Sequence, residues 1–156
     1  IKKLFYLLAV NGTKAPNISQ LASDIETSRA TVMNYIKYLA DARLINIVYP
    51  VGQSFPKKPP MIMVHNPNLM YAIYPINVEK QELMENFFLN SLWKDHLVNS
   101  GKKSGCYVVN EKYQFKVCDA AKLSRSRFSQ DLIYARYNTE VGHGNMIPLW
   151  LLGFLY

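Results

Sequence analysis

The chain is poor in the features that most quickly announce a scaffold or a reaction. Of its 156 residues only 2 are cysteines, Cys106 and Cys118, which excludes a disulfide-stapled scaffold and favours a reducing, cytoplasmic setting. Neither belongs to a C-x-x-C pair, and His65, His96 and His143 are dispersed, so no zinc-type ligand spacing is present. There is no signal peptide, and the closing apolar run Ile147 to Tyr156 is too short to span a bilayer; it is expected to be core, with no membrane partner. No G-x-x-x-x-G-K-[ST] occurs, so no loop here can cradle the phosphates of ATP. Local serine-histidine or cysteine-histidine motifs are missing too, and His143 between glycines reads as a turn residue. Internal repeats and low-complexity tracts are also absent. Because the chain opens on Ile1 rather than Met, it is expected to be a piece of a longer protein.

What is present is an ordinary globular balance with a positive bias. Hydrophobic residues make up 49% and charged residues 19%, enough for one domain or two small ones, and 18 Lys and Arg against 11 Asp and Glu leave a net charge of +7. That charge permits contact with nucleic acid or acidic partners without specifying a sequence.

The most informative stretch runs from Asn17 to Tyr49. Asn17 is placed to cap a helix, with Gln20 at the spacing of a capping box, and Leu21 and Ile25 fall on one face. After a Glu26-Thr27 turn, Ser28 caps a second helix in which Val32, Ile36 and Leu39 recur at helical spacing. Two capped helices joined by so tight a turn predict a helix-turn-helix. Ile1 to Val10 supplies a supporting helix, and strands at Leu44 to Tyr49 and Met61 to His65 form a wing hairpin around the proline-rich connection PVGQSFPKKPP. Arg29, Thr31, Asn34 and Lys37 then project from the second helix toward a DNA groove, with Lys57 and Lys58 on the wing reaching backbone phosphates. The competing reading is a protein-docking surface, since Glu26 and Asp41 dilute the charge and Tyr35 and Tyr38 suit an interface.

Asn66-Pro67-Asn68 marks the boundary to a second half. A short apolar turn at Leu69 to Tyr74 precedes a long amphipathic helix from Val78 to Val98, with Leu83, Phe87, Phe88, Leu92 and Leu97 on its buried side. A polar break from Asn99 to Gly105 leads to a hairpin of Cys106 to Val109 and Tyr113 to Val117, which sets Cys106 near Lys116. A short helix around Leu123 to Asp131, a strand at Leu132 to Tyr137 and a turn at Gly142 to Asn145 complete a small mixed α/β unit. Lys94, Lys102, Lys103, Lys112, Lys116, Lys122, Arg125 and Arg127 form a basic series that is either a nucleic-acid face or solvated surface.

In order, the winged helix, HNPNLMYAI (His65 to Ile73), LMENFFLNSL (Leu83 to Leu92), YQFKV (Tyr113 to Val117) and VGHGNMIPLWLLGFLY (Val141 to Tyr156) resemble the C-terminal half of a bacterial AAA-family ATPase. In that family an ATP-binding core precedes a winged helix and a domain of unknown function related to PD-(D/E)XK nucleases. The resemblance implies an α+β chain, residues 1–66 a winged helix-turn-helix domain and residues 67–156 a small restriction-endonuclease-like α/β domain. ATP and magnesium are expected only in the missing N-terminal core. The partners it implies are that core, DNA, or another protein.

The resemblance places the nuclease's helical acid at Glu85, its strand aspartate at Cys106, its second acid at Lys116 and its lysine at Cys118. Only Glu85 keeps the required chemistry. A hard cation needs oxygen ligands and is repelled by an ammonium, so no metal and no catalytic residue is expected here. Lys116 is expected to pair with Glu85, replacing the lost cation by side-chain charge. A metal-dependent nuclease with a rearranged site of Glu85, Asp119 and Glu140, and a stand-alone winged-helix DNA-binding regulator, are the alternatives.

Overall fold

In the computed structural model, which describes residues 1–12, 15–55, 57–75, 78–119 and 131–155, the chain opens with α1 (Lys2–Asn11), whose Leu4 and Leu8 are one turn apart and buried. Asn17 Oδ1 accepts from the Gln20 N–H at 3.2 Å and starts α2 (Ile18–Asp24). Ser28 Oγ accepts from the Thr31 N–H at 3.1 Å and starts α3 (Arg29–Asp41). Each cap satisfies an amide that a helix start otherwise leaves unpaired. The reciprocal half of the expected capping box is not made; the Gln20 side chain turns forward instead, its Nε2 donating to Asp24 Oδ1 at 2.8 Å. Glu26 adopts φ 54° in the turn between α2 and α3.

Strands β1 (Ile45–Ile47) and β2 (Ile62–Val64) pair antiparallel, Ile45 opposite Val64, and are shorter than their sequence patterns. Leu4, Leu8, Leu21, Val32, Ile36, Ile45 and Ile62 meet in one core. Helix α4 (Pro67–Ile73) is capped by Asn66 Oδ1 and packs on α1 and β2, with Tyr74 edge-on to Tyr6 at 6.4 Å. This packing moves the boundary: the chain divides into compact units at Ile1–Val78 and Glu79–Tyr156, not after Asn66.

The second unit begins with α5 (Lys80–Leu92), which stops well short of the Val98 expected from its apolar period. Trp93 and His96 close the turn onto Leu89 and Leu92, and the chain leaves as strand β3 (Val98–Ser100). Leu97, expected on the buried side, is 54% exposed, because Asn110 holds both its N–H and its carbonyl in the strand connection. β3 occupies the sheet edge where a polar break is expected from sequence, and its Val98 and Asn99 are buried.

Strands β4 (Cys106–Val109), β5 (Tyr113–Asp119), β6 (Leu132–Tyr137) and β7 (Met146–Pro148) follow, giving a five-stranded mixed sheet in the order β3-β4-β5-β6-β7. The β3–β4 and β4–β5 pairs are antiparallel, whereas β5–β6 and β6–β7 are parallel. Cys106 pairs with Lys116, as the hairpin pattern predicts, and Asn110 and Glu111 take the positive φ of a tight hairpin turn. Phe88 of α5 stacks on Tyr107 at 5.1 Å and meets Phe115 at 5.3 Å, so the helix lies over one face of the sheet. The expected helix at Leu123 to Asp131 falls almost wholly outside the described residues, as do Lys122, Arg125 and Arg127.

The apolar C-terminus is only half core. Leu149 and Leu152 of a closing 3-10 helix (Leu149–Leu155) are buried, but Trp150, Leu151, Phe154 and Leu155 are exposed. The chain is therefore an α+β protein, N-terminal helices followed by a mixed sheet with helices, and no described helix is long and apolar enough to cross a membrane.

Candidate functional site

Glu85 lies on the sheet-facing side of α5 and is 1% exposed. Burying a carboxylate is costly unless its oxygens find donors, and both do. The Tyr107 hydroxyl donates to Oε2 at 2.6 Å, and Gln81 Nε2, one helical turn earlier, donates to Oε1 at 2.7 Å. The Gln81 amide also donates to the Val117 carbonyl at 3.0 Å, while its own oxygen accepts from the Tyr137 hydroxyl at 3.1 Å. Side chains from α5 and β4 thus converge on one carboxylate, and Tyr137 of β6 holds the Gln81 amide that serves it. Burial, reinforced by the Glu85 charge and its hydrogen bond, pushes the Tyr107 phenol well above its ordinary range, so it stays a donor.

Of the other positions singled out by the nuclease resemblance, Lys116 lies closest to this cluster. Gly105, at φ +68°, has no side chain, and a β-carbon there would stand 3.0 Å from Glu85 Oε1, 3.1 Å from Lys116 Nζ and 3.2 Å from the Val117 carbonyl. Cys106 follows directly and pairs with Lys116. The expected Glu85–Lys116 ion pair is not formed. The ammonium donates to the Ser104 carbonyl, and the carboxylate is occupied by Tyr107 and Gln81. The cation is thus close to the carboxylate without touching it, and neutral donors do the work assigned to it.

Cys118 is buried, and burial raises its thiol pKa against the opposing pull of Arg136 and Lys116. A thiol kept protonated is a poor nucleophile and a poor metal ligand. Cys106 is half-buried, and both cysteines are free. Among the described residues, no three His, Cys, Asp or Glu side chains gather as a metal site, which applies equally to Glu85, Asp119 and Glu140. Glu140 is exposed, and Asp119 receives Asn138 Nδ2 at 3.4 Å. This arrangement can hold the helix rigidly on the sheet.

In the first unit Arg29, Asn34 and Lys37 are exposed on α3, and Lys57 and Lys58 are exposed on the β1–β2 connection. Thr31 is partly buried, its hydroxyl 2.9 Å from Ser28 Oγ, so it belongs to the cap more than to the surface. The connection lies along α3, with Lys37 Nζ 5.7 Å from the centre of the Phe55 ring. Arg29 and Lys58 line one groove of about 290 Å³ with Asn17, Ile18, Ser19 and Met33.

Gln81, Gly105, Tyr107 and Tyr137 escape a reading by motif. Their one trace in sequence is spacing: Gln81 is four residues before Glu85 on a helix, and Tyr107 alternates with Cys106 on a strand. Comparison with protein-family models, curated proteins and solved structures finds no match.

Proposed function

We propose that this chain is a non-catalytic binding and regulatory module: a winged helix-turn-helix unit followed by a PD-(D/E)XK-nuclease-like unit whose site has decayed, the C-terminal part of a bacterial AAA-family ATPase. The observation that carries the reading is the capped carboxylate. Glu85 sits beside Cys106 and Lys116, where the resemblance wants an acid cluster, yet its oxygens are closed off by Tyr107 and Gln81. A carboxylate whose two oxygens each already accept from a neutral donor, with a lysine ammonium close by, suits recognition and not metal-assisted cleavage. The helix order, the paired strands and the exposed Arg29, Asn34, Lys37, Lys57 and Lys58 support nucleic-acid contact by the first unit. ATP hydrolysis, by this reading, belongs to the ATPase core.

The test incubates the chain with duplex and single-stranded DNA and magnesium or manganese. No cleavage above a metal-only control is expected; cleavage that disappears in Glu85→Ala would overturn the silent-site reading. A gel-shift series tests the binding arm. Weak, salt-labile association without a preferred sequence is expected, whereas tight, sequence-selective binding by a two-fold dimer would favour a stand-alone regulator.

A further inference from the structure

We infer that the groove between α2, α3 and the β1–β2 connection is a phosphate site, in which Arg29 and Lys58 grip one backbone phosphate of a nucleic acid. This rests on the nucleic-acid reading of the first unit and goes beyond it by naming the contact.

The chemistry of the lining selects an anion. Arg29 and Lys58 enter from different elements, Asn17 and Ser19 add neutral polar groups, and none of the lining residues is acidic. The guanidinium is a planar fork suited to two phosphate oxygens, and the ammonium is a compact point charge. Because Asn17 Oδ1 is engaged by the Gln20 N–H, the polar atom its side chain can offer a ligand is its donor nitrogen.

Lys58 is anchored more firmly than a lysine on an open loop. The Tyr49 hydroxyl donates to the Lys57 carbonyl at 2.9 Å, and Pro59 is buried, so the backbone is fixed on both sides of Lys58. Arg29 begins α3 directly after the Ser28 cap, so its backbone is fixed as well. Fixing the backbone that carries both cations before the ligand arrives reduces the entropy lost on binding. Ile18 and Met33 supply an apolar wall against which the adjoining sugar can lie. At about 290 Å³ the groove suits a phosphate with its sugar, not a drug-sized ligand.

The experiment measures fluorescence anisotropy of labelled duplex and single strand with the full chain across a salt series, for wild type, Arg29→Ala/Lys58→Ala and, as a charge-matched control at two exposed lysines outside every candidate nucleic-acid surface, Lys2→Ala/Lys80→Ala. Parallel titrations follow amide shifts with inorganic phosphate and a nucleoside monophosphate. The groove variant should bind about tenfold or more weakly at low salt, with a log–log salt slope shallower by about 0.9, the value of one released phosphate contact. The control should keep at least most of the wild-type affinity. Circular dichroism melts confirm that each variant is folded. Polynucleotide binding unchanged by the double substitution discards the site and keeps the nucleic-acid reading. Phosphate or monophosphate shifts at Arg29 and Lys58 without polynucleotide binding keep the site and discard that reading. A chain that binds none of these probes overturns both.

Discussion

Replacing Tyr107 by Phe removes one oxygen and leaves nearly everything else. The ring still stacks on Phe88 at 5.1 Å, so no cavity opens, but Glu85 Oε2 loses its 2.6 Å donor at a position only 1% exposed. A hydrogen bond to a charged group contributes about 1.5–3 kcal/mol, and a charged oxygen left buried without a partner costs more, so about 3 kcal/mol is expected. For a domain of this size, one kcal/mol moves the midpoint by roughly 4–8 °C, which puts the loss at about 10 °C or more. Glu85→Gln should cost about 1 kcal/mol or less, since its oxygen can accept from Gln81 and its nitrogen can donate to Tyr107. With Phe at 107, the neutral amide should then cost no more than the charged carboxylate, making the double variant less damaged than the sum. The assay is convenient because both tryptophans, Trp93 and Trp150, lie in the second unit, so tryptophan fluorescence reports on it alone. A midpoint shift below about 3 °C for Tyr107→Phe, or strictly additive losses, would refute the claim that this network satisfies a buried charge.

Two further outcomes follow from the same geometry. Gly105→Ala should lower the second unit's stability by about 1–3 kcal/mol, because the new methyl meets Glu85, Lys116 and Val117 at a left-handed backbone position. Gly144→Ala, also at positive φ but with nothing within 4 Å, isolates the backbone cost, and equal losses in the two variants would deny the close approach. Burial, then the nearby Arg43, holds His65 below its ordinary value of 6.5, with Nδ1 2.8 Å from Asn46 Oδ1. A depressed folded-state pKa gives stability that is present above pH 6.5 and lost as acid protonates the ring. Amide-resolved unfolding of the first unit should show that acid loss in wild type and a flatter profile in His65→Gln.

Much of the local structure was readable because it is written in short-range chemistry. Asn17 and Ser28 announce helix starts by residue type alone, and the Asn110-Glu111-Lys112 turn fixes the Cys106–Lys116 register. The errors arise where distant partners decide. Periodicity extends α5 to Val98, but Val98 and Asn99 are claimed by β4, a pairing with residues ten or so positions later. Likewise α4 reads as the start of the second half by its Asn-Pro signal, while packing on α1 and β2 assigns it to the first. Glu85 was visible as an acid, yet its partners were not. The pleat and helical turn bring Gln81 and Tyr107 to it, whereas the positions implied by the nuclease resemblance pointed to Lys116.

Both margins of the second unit's sheet are narrow. β3 and β7 each span three residues, and β7 ends in Pro148, which has no N–H to offer. A foreign strand laid alongside either would gain few ladder bonds, so adventitious lengthening of the sheet, the usual route from exposed edges to fibrils, has little to build on. The apolar surface this unit does leave open lies instead in side chains, among which Trp150 and Phe154 are the largest exposed apolar groups of the closing helix.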